Sequence, residues 1–233
     1  MAKYLTELIG TFFLVLTIGL TVIQPGAGAL APLAIGSVLM VMIYAGGHVS
    51  GGHYNPAVTL GVWLRGKHPT GEVLPYMGVQ VLGAIVAGLL VNVFKPTSAV
   101  TAAQPAIVAA FLAELVFTFA LVYVVLNVAT ADETSGNSYF GLAIGFTVLA
   151  GALAVGSISG GAFNPAVAVG ISLMGLSSWV NIWIFLVSEL VGGALAAYAF
   201  KAIHPAKGKP AMAGSESQSE RSRSLDGQEL KRL

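Results

Sequence analysis

Long apolar runs separated by short polar stretches dominate most of the chain. Six of the runs have about the twenty apolar residues that a helix needs to cross roughly 30 Å of hydrocarbon. They cover residues 5–23, 31–49, 73–94, 107–129, 138–156 and 179–202. Polar residues cluster between the runs, as in FKPTSAVTAAQP after the third and ATADETSGNS after the fourth. The pattern predicts an all-α membrane protein with six transmembrane helices.

Two further apolar stretches are only half as long. AVTLGVWLR follows Pro56 and AVAVGISLM follows Pro165, and about ten helical residues rise about 15 Å. Proline suits the first turn of a helix and asparagine is among the best N-caps. We therefore expect Asn55 and Asn164 to cap two half-length helices, each with its NH2 group free to face a pore.

The same segment occurs twice. GHVSGGHYNPAVTLG begins at Gly47 and GSISGGAFNPAVAVG at Gly156, with nine of fifteen positions identical. ELIGTFFLVL from Glu7 matches ELVFTFALVY from Glu114 at six of ten positions. The channel domain, residues 1–204, thus divides into repeats at about 3–95 and 105–203. Because each repeat has three spans, the two copies insert in opposite orientations, and a site shared by both motifs lies near the midplane.

Charge is scarce and unevenly placed. Charged residues make up 9% of the chain, its net charge is +1, and it has no cysteine, which leaves no basis for a nucleic-acid partner or a thiolate site. Ten of the twenty-one charged residues lie beyond Pro205, so residues 205–233 are expected to form a disordered tail. The basic residues near span ends favour cytoplasmic N- and C-termini. These are Lys3, Arg65, Lys67, Lys201, Lys207 and Lys209, against Lys95 on the other side.

A few ionisable residues lie within or beside the spans. Glu7 and Glu114 occupy matching positions of the two repeats, and a carboxylate inside a span costs about 2.5–3.5 kcal/mol or more unless it is satisfied. We expect them to accept hydrogen bonds from the irregular backbone; a proton relay is the alternative. Glu189 takes the place in the last span that Gln80 takes in the third, and no role is assigned to it. The histidines near the cytoplasmic mouth are consistent with pH gating or with ordinary loop positions; they are His48, His53 and His68.

The two half-helices also predict what can pass between them. Each helix N-terminus carries about half a positive charge, so a cation at their meeting point would be repelled. Two asparagine donors acting on one water would interrupt a proton relay. Irregular backbone at membrane depth survives only where protein or a water-filled cavity satisfies it. These features favour passive passage of uncharged solutes.

The paired motifs Asn55-Pro56-Ala57 and Asn164-Pro165-Ala166, set in a six-span inverted repeat, resemble the aquaporin family over about residues 3–203. The resemblance implies six transmembrane helices, two re-entrant half-helices and a homotetramer with one pore in each protomer. It implies no cofactor and no bound metal. It also implies a ladder of backbone carbonyls that solutes follow through the pore, formed by Gly51, Gly52, His53, Tyr54, Gly160, Gly161, Ala162 and Phe163.

One position departs from the pattern of that family. Most aquaporins have arginine directly after the second motif, where this chain has Val167. Ungapped counting from the motifs places the selectivity constriction at Ile35, Ala152, Gly161 and Val167. This ring has no charge, aromatic ring or side-chain donor, and it therefore favours an aquaglyceroporin-like channel for glycerol, urea, ammonia or metalloid hydroxides such as arsenite, together with water. A hydrophobic gate that dewets is the alternative.

Two other functional classes fit the sequence less well. A secondary transporter coupled to ions or protons would use Glu7 or Glu114. An enzyme is poorly supported, because the spans have no Ser/His pair, no HExxH and no paired carboxylates on one span. The short loops suit a multi-pass protein of a prokaryotic plasma or inner membrane.

Overall fold

The chain folds into α-helices joined by short loops. The computed structural model describes residues 1–95 and 100–205, and within these ranges the regular elements are eight α-helices and four short 3-10 turns. Six helices are long: α1 (Ala2–Val22), α2 (Ala31–Ser50), α4 (Val73–Phe94), α5 (Ile107–Ala129), α6 (Phe140–Ser159) and α8 (Ile182–Ile203). Two are short: α3 (Pro56–Leu64) and α7 (Pro165–Leu173). The predicted all-α class is confirmed, and most of the predicted tail lies outside the described residues.

All six long helices are long and apolar enough to cross a membrane. The sequence-based bounds agree closely for α4 and α5 and differ for the last two spans. Helix α6 continues past residue 156 to Ser159, where Gly160 at φ +100° ends it in a left-handed conformation. The last apolar run begins with the 3-10 turn Trp179–Asn181, so α8 begins only at Ile182.

The packing of the helices follows the repeat. In the first repeat α1 packs against α2 and α4, and in the second α5 packs against α6 and α8. The repeats meet where α2 contacts α6. Each short helix packs against a long helix of the opposite repeat, α3 on α8 and α7 on α4. The two short helices are therefore held between the repeats.

Glycines allow the long helices to approach closely. A Cβ atom on Gly83 of α4 would lie 2.6 Å from the carbonyl oxygen of Leu8 in α1. At the matching crossing of the second repeat, a Cβ on Gly192 of α8 would lie 2.6 Å from the carbonyl oxygen of Leu115 in α5. Small residues at crossings are how membrane helices gain packing contacts without a hydrophobic driving force. Each crossing includes a long helix that packs against a short helix of the other repeat, α4 against α7 and α8 against α3.

Candidate functional site

Each short helix is preceded by four residues of irregular backbone, here named the approach segments 51–54 and 160–163. Both begin with two glycines at positive φ, Gly51, Gly52, Gly160 and Gly161. Both end with an aromatic residue in the left-handed region, Tyr54 at φ +48° and Phe163 at φ +49°. A non-glycine residue held there costs about 1–3 kcal/mol. The strain occurs at matching positions and needs local compensation.

In the first repeat, Glu7 of α1 supplies that compensation. Its buried carboxylate accepts hydrogen bonds from the backbone N–H groups of His53 at 2.9 Å and Tyr54 at 2.6 Å. It also accepts from the Ser50 hydroxyl at 2.7 Å and from Gln80 Nε2 at 2.8 Å. Hydrogen bonds to a charged group contribute about 1.5–3 kcal/mol each, which is enough to offset the strain at Tyr54.

In the second repeat, Glu114 of α5 accepts the corresponding hydrogen bonds from the approach segment 160–163. It is fully buried and accepts from the backbone N–H groups of Ala162 at 3.1 Å and Phe163 at 2.7 Å. The Ser159 hydroxyl lies close to the same carboxyl group. The structure thus places both intramembrane carboxylates against the backbone of the approach segments.

The asparagines lie at the N-caps of the short helices. Oδ1 of Asn55 accepts from the backbone N–H of Ala57 at 2.8 Å and of Val58 at 3.4 Å. Oδ1 of Asn164 accepts from Ala166 at 3.0 Å, with Val167 at 3.5 Å. The prolines that follow occupy the first helical position in both cases.

The amide nitrogens of the same two asparagines join the repeats. Asn55 Nδ2 donates to the carbonyl oxygen of Phe163 at 2.8 Å, and Asn164 Nδ2 donates to that of Tyr54 at 2.9 Å. We name this pair of bonds the asparagine clasp. The N-termini of α3 and α7 therefore meet. The sequence predicts that both NH2 groups are free to face a pore. In the structure, each NH2 group instead donates one of its two N–H bonds to a backbone carbonyl of the opposite repeat.

A cavity of about 290 Å³ runs along the meeting point and is lined by both repeats, including Asn55 and Asn164. All four residues of the predicted constriction lie on its wall: Ile35, Ala152, Gly161 and Val167. Two of them are direct neighbours, since a Cβ on Gly161 would lie 3.4 Å from Cα of Ala152. Much of the remaining wall is aliphatic, with Leu14, Ile18, Leu39, Leu121, Val125 and Ile171.

The predicted carbonyl ladder lies partly on this wall. Six of its residues line the cavity: Gly52, His53, Tyr54, Gly160, Gly161 and Ala162. Gly51 and Phe163 do not contribute to the wall of this cavity. The carbonyls of Tyr54 and Phe163 each accept one bond of the asparagine clasp. Of these two residues only Tyr54 lines the cavity, and its carbonyl has one lone pair left for a solute.

A segment between α4 and α5, interpreted from the sequence as a linker, also contributes to the cavity wall. Thr101, Ala103 and Pro105, ahead of α5, line the cavity together with Leu176 and Ser177. The backbone N–H of Ala103 donates to the carbonyl of Leu176 at 3.1 Å, which holds the segment there. Its small residues and proline show no periodicity, so span counting had no signal that would find it.

The three histidines singled out in the sequence lie in different surroundings. His53 lies on the cavity wall, with Nδ1 at 3.1 Å from the Thr59 hydroxyl. Its ring centroid is 5.1 Å from that of His68, in the loop between α3 and α4. Burial lowers the pKa of His68, which favours its neutral form. His48 is exposed at the end of α2.

Comparison with known proteins leads to the same architecture. The family described as Major intrinsic protein matches residues 1–200. The chain belongs to the major intrinsic protein family. Aquaporin NIP1-4 of Oryza sativa subsp. japonica is a relative with 34% identity over 209 residues, covering 85% of this chain and 76% of the rice protein. Glycerol uptake facilitator protein-like 6 of Lactiplantibacillus plantarum has 35% identity over 209 residues, covering 85% of this chain and 96% of the bacterial protein.

A solved structure agrees with the fold. The aquaglyceroporin from Plasmodium falciparum superposes with a TM-score of 0.74 at 22% sequence identity, covering 88% of this chain and 96% of that one. As a major intrinsic protein, the chain is a multi-pass membrane channel for water and small solutes, and its work is transport rather than catalysis. The predictions of family, fold class and channel function are confirmed. Over residues 1–95 and 100–205 no group of three or more His, Asp or Glu residues suits a metal ion.

Proposed function

We propose that the chain is a passive channel that conducts glycerol-sized uncharged solutes as well as water and excludes ions and protons. The candidates are glycerol, urea, ammonia and metalloid hydroxides such as arsenite. The observation that carries the proposal is that four apolar residues, Ile35, Ala152, Gly161 and Val167, lie on the cavity wall, where we propose that they form the constriction. A Lactiplantibacillus plantarum relative that bears the name of a glycerol uptake facilitator supports the same substrate class.

The ring favours larger solutes for two reasons. Ala152 and Gly161 have almost no side chain, so they leave room on one side of the pore. Val167 brings neither a charge nor a donor to the position that follows the second motif. In aquaporin-type pores, selectivity depends on diameter, lining donors and electrostatic barriers. The cavity wall combines aliphatic side chains with residues of the approach segments, so a solute with both polar and CH groups can contact both.

Ion exclusion follows from the meeting of the short helices. Each N-terminus brings about half a positive charge to the same place. A cation there would lose its water shell against this potential, and among the described residues no Asp or Glu lines the cavity to replace it. The N–H that each asparagine does not use in the clasp can donate to one passing water, whose oxygen then accepts twice. Such a water is not oriented to relay a proton along the file.

The assembly and its orientation belong to the same proposal. The channel is a homotetramer with a pore in each protomer, in a prokaryotic plasma or inner membrane with both termini in the cytoplasm. The orientation follows from the lysine and arginine positions, and two of these lysines pair with acids on the same side, Lys3 with Glu72 and Lys67 with Asp132. Cross-linking in membranes and the mass of the purified particle test the tetramer.

Stopped-flow light scattering of proteoliposomes tests the substrate class. Wild-type protein should let glycerol, urea and arsenite equilibrate with no ion gradient present. Val167→Arg should slow glycerol more than water, because the side chain fills the ring. An added barrier of about 1.4 kcal/mol would slow glycerol about tenfold. Val167→Leu adds bulk without charge and is the matched control.

Three results would contradict the proposal. Uptake that requires a proton or ion gradient would make the protein a coupled transporter. If the wild-type protein conducts neither water nor solutes, the apolar ring is a closed gate. Equal slowing of water and glycerol by Val167→Arg would place the constriction elsewhere.

A further inference from the structure

The last span contains a carboxyl group for which the channel gives no obvious use. Glu189 of α8 is fully buried. Among the described residues, no donor meets either of its oxygens at hydrogen-bonding geometry. A buried ionised carboxylate without donors is so costly that such groups are paired or neutralised. The charge state of Glu189 therefore needs an explanation.

The internal repeat supplies the comparison. Gln80 holds the place in α4 that Glu189 holds in α8, since 80 + 109 = 189. Nε2 of Gln80 donates to Glu7 at 2.8 Å and to the Thr59 hydroxyl at 3.0 Å. The Glu7 carboxylate thereby has four donors, two from backbone and two from side chains. The amide of Gln80 completes this set.

Glu114 has fewer donors. It accepts hydrogen bonds from the backbone N–H groups of Ala162 and Phe163, and the Ser159 hydroxyl lies close to its carboxyl group. The group beside it, where Gln80 stands beside Glu7, is the carboxyl of Glu189. An ionised carboxylate has no hydrogen to donate, and two ionised carboxylates in contact inside a protein repel each other strongly.

We propose that Glu189 carries a proton and donates its O–H to Glu114, as a positioning residue that replaces the amide of Gln80 in the second repeat. Glu114 is the partner that keeps the negative charge, because two backbone N–H groups already point at it. Glu189 has only the loosely placed N–H of Asn164. The pair thus holds a single negative charge, as Glu7 does alone.

The proton has a structural consequence for the pore. With the O–H of Glu189 as a further donor, Glu114 holds the N–H groups of residues 162 and 163 and so fixes the second approach segment. Gly160 and Gly161 of that segment line the cavity. Thr59 has no counterpart here, because Ala168 stands at the matching position. The hydroxyl of Glu189 is therefore the side-chain donor that this site has in place of the amide.

Infrared spectroscopy and three variants test the proposal. At neutral pH, wild-type protein should show the C=O band of a protonated carboxylic acid, shifted in D2O. Glu189→Gln should lose the band and keep the stability and permeability of the wild type, since the amide restores the donor. Glu189→Leu should lose the band and slow glycerol about fivefold, the effect of one missing hydrogen bond. Glu114→Gln should lower the unfolding temperature more than Glu189→Gln.

The matched control is Glu133→Gln, an exposed acid in the loop after α5, which should leave the band unchanged. No protonated-carboxyl band in the wild type would overturn the proposal. So would Glu189→Gln proving as damaging as Glu189→Leu, or Glu114→Gln proving harmless. If Glu189→Leu fails to fold, the band and the glutamine variants still decide. Only the permeability readout rests on the proposed function: a wild type that passes no solute would refute that function and leave the spectroscopic result standing.

Discussion

At the scale of single residues, the site depends on buried polar groups that satisfy one another. The N-cap positions of Asn55 and Asn164 follow from residue type alone, because Asn before Pro is a strong helix start. Their hydrogen bonds across the repeats could not be predicted in this way, because the sequence does not give the distance between two loops. The backbone partners of Glu7 were predicted, but its side-chain partners were not, for a similar reason. Hydroxyl and amide side chains such as Ser50 and Gln80 are common enough in spans that nothing marks them as members of one network.

The network around Glu7 leads to the first prediction. Glu7→Gln should lower the free energy of unfolding by about 3 kcal/mol, because a carboxylate with four donors is replaced by an amide with one acceptor oxygen. Thermal unfolding in detergent measures the change.

The control for this substitution is Glu72→Gln. Glu72 pairs with Lys3, and the two side chains are 26% and 34% exposed, so the loss should stay below about 1 kcal/mol. If both variants lost the same stability, the network around Glu7 would have no special role.

At the scale of elements, the sequence predicts which helices form better than how they cross. The six spans follow from apolar length, and the two half-helices from their caps. The crossings depend on which glycines face a neighbour, and a chain rich in glycine offers many candidates. Gly83 and Gly78 lie on the same helix, yet Gly83 contacts α1 while Gly78 has nothing within 4 Å of an added Cβ. Sequence gives no reason to choose between them.

The same pair of glycines gives a prediction with opposite signs. Alanine is favoured over glycine inside a helix by about 1 kcal/mol, so Gly78→Ala should leave the unfolding temperature unchanged or raise it. Gly83→Ala should lower it, because the new methyl group would lie 2.6 Å from the backbone oxygen of Leu8. Gly192→Ala should behave like Gly83→Ala. Equal effects at Gly78 and Gly83 would contradict the close packing of α1 and α4.

At the scale of the whole molecule, the inverted repeat accounts for most of the architecture that could be predicted from the sequence. Three spans in each half, with one motif between the second and third, require two short helices that approach from opposite sides. What the pattern could not supply is the contact of residues 101–105 with the cavity, since that segment has no periodicity and no counterpart in the motif. The orientation rests on lysine and arginine positions alone.

Single-cysteine labelling tests the orientation, because the chain contains no cysteine of its own. Gln104→Cys should react with an impermeant maleimide added outside intact cells. Ser135→Cys should react only after the membrane is opened. Both positions are exposed in the structure, and the cysteine-free parent is the blank. Reaction of both cysteines from the same side would contradict the single span, α5, that separates them. Reaction of residue 135 from outside and of residue 104 only in opened membranes would mean that the protein has the opposite orientation.

The asparagine clasp has a consequence for biosynthesis. A ribosome that has released only α1 to α4 has made a chain in which the amide of Asn55 and the carbonyl of Tyr54 lack their partners. Each unsatisfied group in the hydrocarbon costs several kcal/mol. A nascent half is therefore expected to keep its short helix near the bilayer surface and to need a chaperone or a second copy of itself until translation of α7 is complete. Two halves encoded on separate transcripts should rescue each other when expressed together.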